Sequence, residues 1–347
     1  MQLFAAIFSR NAVAMLACLT ASSGFFLAGA PAPWLTGAAL AGSIAALAGA
    51  PPKVPPQLLD AGLLLLGVSL GAAIGPESLG AIWRWPLSIL ALILTVPLIV
   101  GTAQALLTRV FGWEAREAYL AAVPGALSYT LAIAAAENLD VRKIAIAQSV
   151  RLLAIVMIVP LAFRETAGVR PVDVASAGAA ADWLAIGGLL ASGLAGGLLL
   201  KRLGAPAAMM LGGMLTSCLA HASGLVTAGV PGWLLAPGVV LIGANVGSRF
   251  GGSSLGELGA MIAPSLGCVA ATFATSALAG AATAFALKLP MLQTLLAFAP
   301  GGLDTIAVLV LTLKLDAAFV TVHQLVRFVG IAVALPVLFK LLPAARA

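Results

Sequence analysis

Residues 124–151 read PGALSYTLAIAAAENLDVRKIAIAQSVR, and residues 300–327 read PGGLDTIAVLVLTLKLDAAFVTVHQLVR. At an offset of 176 positions the second stretch repeats Pro124-Gly125 as Pro300-Gly301, Leu139-Asp140 as Leu315-Asp316, Gln148 as Gln324 and Val150-Arg151 as Val326-Arg327. Each stretch opens on a dipeptide that interrupts a helix, because proline has no N–H to donate and glycine loses the most backbone entropy on ordering. Each closes on an arginine inside an apolar run. The offset extends outward, pairing Pro55 with Pro231, Gly67 with Gly243, Gly71 with Gly247, Gly75 with Gly251, Ser78-Leu79-Gly80 with Ser254-Leu255-Gly256, and Pro160 with Pro336. Residues 9–165 therefore map onto 185–341, which predicts a first membrane repeat over 1–165, a linker over 166–182 and a second membrane repeat over 183–347.

Composition sets the solvent. The 347 residues are 62% hydrophobic and 9% charged, with a mean hydropathy of +1.12, whereas soluble domains carry roughly 25% charged residues. Apolar segments recur six times per half, in the first at about 11–29, 32–49, 58–75, 86–108, 118–137 and 141–163. That is the length needed to cross about 30 Å of hydrocarbon as a helix. Lipid cannot satisfy an open sheet edge. The predicted fold is all-α: a polytopic transmembrane helical bundle of two homologous tandem repeats with Pro/Gly-broken helices.

The net charge of +6 comes from singly scattered Lys and Arg rather than a basic stripe, so no nucleic-acid partner is expected. The first apolar run follows Arg10 like a signal peptide but has a counterpart in the second half, and is expected to be a retained helix. Cys18, Cys218 and Cys268 lie in apolar runs without CxxC spacing, so neither a disulfide framework nor a zinc site is expected.

The basic residues also bear on topology. Twelve full crossings place nine inside and seven outside. Re-entrant segments after Pro124 and Pro300 place eleven inside against five, and invert the second half relative to the first. The second arrangement is the expectation, since inverted repeats with interrupted helices are a recurrent transporter plan.

Arg151 and Arg327 fall near the middle of their helices, where an arginine costs at least about 2.5–3.5 kcal/mol on insertion scales. Each should face protein, an aqueous cavity or an anion. Gln148 and Gln324 share their helical faces, and His323 lies four residues before Arg327. At Pro124, Gly125 and at Pro300, Gly301, Gly302 the backbone opens, and the restarting helix presents unpaired N–H groups and a positive dipole end that suit a carboxylate. The copies diverge where Ser128 and Tyr129 stand opposite Asp304 and Thr305, and Asp304 is the candidate coupling residue for a proton or cation. Its alternative is a buried ion pair with Arg327 or Arg151. Asp140 and Asp316 are expected to cap the helices that follow them, and the glycines at 67, 71 and 75 with their mates to form close helix-packing faces. His221 is expected near a membrane interface.

The stretch PGALSYTLAIAAAENLDVRKIAIAQSVRLLAIVMIVP and its copy APGGLDTIAVLVLTLKLDAAFVTVHQLVRFVGIAVALP resemble the duplicated AbrB-type membrane protein family of bacteria, distinct from the soluble transcription factor of the same name. The resemblance covers essentially the whole chain. Members carry labels such as ammonia monooxygenase or regulator of gene expression. A monooxygenase needs several His or carboxylate ligands. With only His221 and His323, far apart and outside any HxxxH or ExxH spacing, no enzyme activity, metal or cofactor is expected.

The reading is a multi-pass secondary transporter of the bacterial inner membrane for a small anionic solute. Its substrate site is formed by Arg151, Arg327, Gln148, Gln324, Pro124, Gly125, Ser128, Pro300, Gly301, Gly302, Asp304 and Thr305. The alternative is a membrane regulator of gene expression that transports nothing. The expected partners are the lipid bilayer and the solute, with homo-oligomerisation left open.

Overall fold

Prolines mark where several helices begin, and left-handed residues lie both after helices, as at Gly49 and Asn138, and just before them, as at Ala32 and Ala207. Pro33, Pro56 and Pro86 occupy first-turn positions, where the missing N–H costs nothing. In the computed structural model, which describes residues 2–30, 32–74, 83, 85–124, 127–162, 182–205 and 207–341, fourteen helices and no strand are seen among the described residues. The helices are α1 (Gln2–Leu27), α2 (Pro33–Leu47), α3 (Pro56–Ala72), α4 (Pro86–Arg109), α5 (Ala115–Ala122), α6 (Leu127–Ala136) and α7 (Val141–Ala162), then α8 (Trp183–Arg202), α9 (Ala208–Ala222), α10 (Gly232–Ser248), α11 (Leu255–Leu287), α12 (Met291–Phe298), α13 (Leu303–Thr312) and α14 (Ala317–Lys340).

The helix bounds recur at the sequence offset. The bounds of α3, α5 and α6 shifted by 176 are those of α10, α12 and α13, and those of α2 shifted by 175 are those of α9. Positive-φ positions follow the same rule: Gly29 and Gly204, Ala32 and Ala207, and Gly49 and Gly224 at one spacing, Gly112 and Lys288, and Asn138 and Lys314 at the other. The segment expected as one apolar unit at 118–137 is two short helices, α5 and α6, parted at the Pro-Gly break. The linker expected at 166–182 lies, apart from Asp182, outside the described residues. Asp182 caps α8 by accepting from Leu184 and Ala185 N–H.

Among the described residues five helices are long and apolar enough to cross a membrane: α1 from Arg10, α4, α8, α11 from Gly256, and α14. The chain is a multi-pass membrane protein. Large apolar side chains such as Leu94 (63% exposed) and Phe285 (86%) stand on its surface, where lipid is the natural neighbour. The shorter apolar helices α2, α3, α9 and α10 have 15 to 17 residues; at 1.5 Å per residue they reach about 22–26 Å, just under a full crossing.

The described residues divide into two units, each drawing on both halves of the chain. Unit 1 takes residues 1–82, 156–252 and 304–318; unit 2 takes 83–155, 253–303 and 319–347. In unit 1, α3 packs on α9 and α10 packs on α2. The two contacts are reciprocal. A Cβ on Gly67 would overlap the Met210 backbone, and one on Gly243 would lie 2.6 Å from the Leu35 carbonyl oxygen, with Leu35 and Met210 equivalent positions of the two halves. Gly62 and Gly238 face one another, each meeting the other's Cα. In lipid, helices associate by van der Waals packing, and small residues permit the closest backbone approach. Gly75 lies outside the described residues. One inter-helix ion pair of unit 1, Lys201 with Asp60 at 2.7 Å, sits near helix ends.

In unit 2, α4 packs on α11 and α5, and α11 packs on α12. The core gathers Trp113, Tyr119, Ile144, Ile331 and Phe339. Charges collect at the helix ends, with Arg116–Glu137 at 2.8 Å, Lys143–Glu117 at 2.6 Å and Arg142–Glu257 at 2.6 Å. Asp140 caps α7 by accepting from Lys143 N–H at 3.0 Å.

Gly67→Leu should destabilise the protein by about 1–3 kcal/mol or more through overpacking, read as a fall in melting temperature and in monodisperse yield in detergent. Gly187→Leu on α8, where a Cβ meets nothing within 4 Å, should leave both unchanged. Equal behaviour of the two variants would contradict the close-packing role.

Candidate functional site

A helix that ends inside a membrane leaves its last carbonyls without intrahelical donors. α5 ends at Ala122, two residues before Pro124, with its last residues buried. Arg151, from the middle of α7, reaches this end. One terminal nitrogen donates to the carbonyls of Ala121 (3.1 Å) and Ala122 (3.0 Å), and the other donates to Val123 (2.8 Å). Gln148, one turn earlier, donates to the Leu120 carbonyl at 2.8 Å and to the Thr130 hydroxyl at 2.9 Å. With Val123 N–H returning to the Tyr119 carbonyl, five consecutive carbonyls, Tyr119 to Val123, each have a donor.

The arrangement recurs in the second half. Gln324 donates to the carbonyls of Leu296 (2.9 Å), Ala297 (3.2 Å) and Ala299 (3.2 Å). Arg327 donates to Ala299 and, at 2.7 Å, to Gly301. Ser276 of α11 donates to the remaining carbonyl, Phe298, at 2.6 Å. The acceptors Leu120 and Val123 are the positional equivalents of Leu296 and Ala299.

Sequence reasoning places the interaction at the restarting helix, whose N–H groups would meet an anion. The observed guanidinium contacts lie at the opposite side of the break, on the carbonyl end of the helix that stops. Electrostatics explains the choice, since a helix C-terminus carries partial negative charge and attracts a cation.

Arg327 Nε and Gln324 Oε1 are among the buried atoms without a hydrogen-bond partner. Arg327 and Gln324 are 4% and 1% exposed, and Arg151 and Gln148 3% and 4%. The two guanidiniums are near enough for their charges to act on each other. Among the described residues no carboxylate lies within ion-pairing distance of either arginine.

Further polar groups flank Arg327. His323 is fully buried; its Nδ1 donates to the Phe319 carbonyl at 2.7 Å, and its Nε2 lies 2.8 Å from the Ser88 hydroxyl of α4. A carbonyl can only accept, so Nδ1 carries the proton and Nε2 is the acceptor in the neutral ring. Beside Arg327 lies a cavity of about 410 Å³, walled by α4, α5 and α14, with Gln104, Tyr119 and Arg327 as its polar lining. Pro97 within α4 also lines it and removes the helical donor for the Ile93 carbonyl. Gln104 and Pro97 interrupt the apolar run 86–108, a signal the sequence does carry.

The other expected residues fall as follows. Pro124, Pro300 and Gly301 are buried at the two breaks, and Gly302 is half-buried. Gly125 lies outside the described residues, and Ser128 is described only as a backbone position of α6. Asp304 and Thr305 belong to unit 1. The Asp304 carboxylate accepts from Thr305 N–H at 2.9 Å, its charge acts on Arg249 of the same unit, and the buried Thr305 hydroxyl has no partner. His221 is half-buried, with ring nitrogens against the Ser217 carbonyl at 2.7 Å and the Ala228 carbonyl at 3.1 Å. Among the described residues no three His, Cys, Asp or Glu side chains gather as a metal site would require.

The profile described as "Transition state regulatory protein AbrB" matches residues 34–343. The chain belongs to the AbrB family. It is similar to an AbrB protein of Escherichia coli (strain K12) named as a regulator, with 27% identity over 330 residues, 93% of each chain. It is also similar to the YhjN protein of Bacillus subtilis (strain 168), described as uncharacterised, with 26% identity over 306 residues, 82% of this chain and 78% of that one. No solved structure matches. Within this AbrB-family chain, the repeated arginine and glutamine hold the carbonyl ends of the two broken helices.

Arg151→Met should strip donors from three buried carbonyls at once. Each orphaned group costs about 1–3 kcal/mol, so the melting temperature in detergent should fall well below that of Gln104→Leu, which removes a single bond to the Ala115 carbonyl. A wild-type melting curve for Arg151→Met would remove its capping role.

Proposed function

We propose that this AbrB-family protein is a secondary transporter of a small organic anion in the bacterial inner membrane, with the solute bound at the broken helices near Arg151 and Arg327. The observation that carries the reading is the pair of neighbouring buried guanidiniums with no acidic partner among the described residues. Carbonyl dipoles offset part of the cost of burying them, and a bound anion would neutralise the rest. Arg327, whose Nε–H keeps no partner and which lines a cavity, is the better placed of the two arginines to meet an anion. Asp304 is the proposed coupling residue, a role supported by its absence from the first copy, where Ser128 stands.

The chain is further proposed to be an inverted tandem duplication. Support for the duplication comes from the recurring helix bounds, the paired left-handed residues and the reciprocal glycine contacts of unit 1, and support for the inversion from the basic residues, eleven inside against five. The second reading, a membrane regulator without transport, is favoured by the words attached to the family and to the Escherichia coli relative. In that case the same site would sense an anion rather than move it.

Radiolabelled carboxylates offered to proteoliposomes should identify a transported anion. Arg327→Gln, which keeps an amide donor for the Gly301 carbonyl, should lower its uptake at least tenfold with an unchanged size-exclusion profile. In the same assay Asp304→Asn should abolish gradient-driven accumulation while sparing exchange. Full transport by Arg327→Gln would sink the site, and absence of uptake for every anion that binds would favour the sensor.

Orientation has its own test. Asn138→Cys and Lys314→Cys, at the equivalent left-handed turns after α6 and α13, should react with an impermeant maleimide from opposite sides of the membrane in a cysteine-free background. Labelling from one side would show parallel repeats.

A further inference from the structure

The anion-site reading leaves the chemical class of the anion open, and the cavity beside Arg327 narrows it. Its volume of about 410 Å³ falls within the roughly 300–1,000 Å³ typical of small-molecule sites. Arg327 is the only charged residue among its described lining, and it brings a buried Nε–H that lacks a partner. Val96, Pro97, Ile331 and Leu335 supply aliphatic wall. The rim residues Ile93 and Leu338 are 50% and 42% exposed, so the mouth opens onto the apolar surface of the protein.

A short anion such as acetate would leave most of this volume unfilled. A dicarboxylate would set its second charge against hydrocarbon, where no second cation lines the cavity and the desolvation of a carboxylate goes unreturned. An uncharged chain would fill the walls but leave the guanidinium unneutralised. We propose that the unit 2 cavity binds an amphipathic monoanion, an organic carboxylate with an aliphatic or aryl body, its head on Arg327 and its body along the aliphatic walls. This rests on the anion-site reading and deepens it. Such a carboxylate could come from the aqueous phase or, as a free fatty acid, from the bilayer through the apolar mouth.

The test uses the full chain in nanodiscs of zwitterionic lipid, with equilibrium dialysis of labelled octanoate, acetate, succinate and octanol. Octanoate should bind at least tenfold more tightly than the other three. Arg327→Gln should weaken it at least tenfold. Because Arg327 also holds the end of α12, a second variant avoids the capping network. Gly101 lines the cavity, and a Cβ there meets nothing within 4 Å, so Gly101→Leu should fill space without a clash. It should weaken octanoate at least tenfold with an unchanged melting temperature.

A fatty acid released by denaturing extraction, stoichiometric in the wild type and missing from Gly101→Leu, would support the proposal with the bilayer as source. Succinate binding as tightly as octanoate, octanol binding equally well, or neither octanoate binding nor a co-purifying fatty acid would overturn it. Failure of transport is read separately: octanoate bound but not taken up by proteoliposomes removes the transporter and leaves this site standing, whereas succinate bound and taken up does the reverse.

Discussion

A helix that stops within a membrane exposes carbonyls to a medium that offers no hydrogen-bond donor, and the rest of unit 2 is organised around that deficit. Proline and glycine end α5 and α12 early. The donors must then come from another helix, must reach several carbonyls at once and must tolerate the negative end of a helix dipole. A guanidinium meets all three demands, and a glutamine one turn away supplies the carbonyls it misses. The arginines are thus not unsupported charges in a hydrocarbon interior. They are the positive half of an interaction whose negative half is distributed over backbone oxygen.

Much of this was legible in the sequence because the residues involved are chemically out of place. Arginine and glutamine in apolar runs, and Pro-Gly inside a span, contradict their surroundings twice at one spacing. What the sequence did not reveal was direction. Spacing shows that Arg151 and the break lie about 28 residues apart, but not whether the side chain reaches the carbonyl end of α5 or the amide end of α6. The helix dipole decides this, and only after the helices are placed. The cavity was invisible for a different reason: it is the space between side chains of three helices, and its walls are ordinary apolar residues.

The two units show a similar division between pattern and packing. Matching residues recur along the chain at an offset of 176, yet each unit assembles elements from both halves, because the glycines of α3 fit the backbone of α9 and those of α10 fit that of α2. A stripe of small residues states that a helix can be approached closely. It does not name the partner, and the equivalent helix of the other half is as good a complement as any within the same half.

The difference between the copies is the feature most directly tied to chemistry. Both arginines cap a broken helix, so capping alone would be served by two identical copies. In the first, Arg151 donates to the Ala121, Ala122 and Val123 carbonyls, and Gln148 to the Leu120 carbonyl and the Thr130 hydroxyl. In the second, Ser276 takes the Phe298 carbonyl, and Arg327 and Gln324 each keep an unpaired atom while sharing the Ala299 carbonyl. A buried N–H and a buried amide oxygen left without partners each cost free energy that a purely structural cap has no reason to bear. In the proposed reading an anion would complete the Arg327 Nε–H, which is a donor, and not Gln324 Oε1, which is an acceptor, and the cavity against Arg327 would give that anion room.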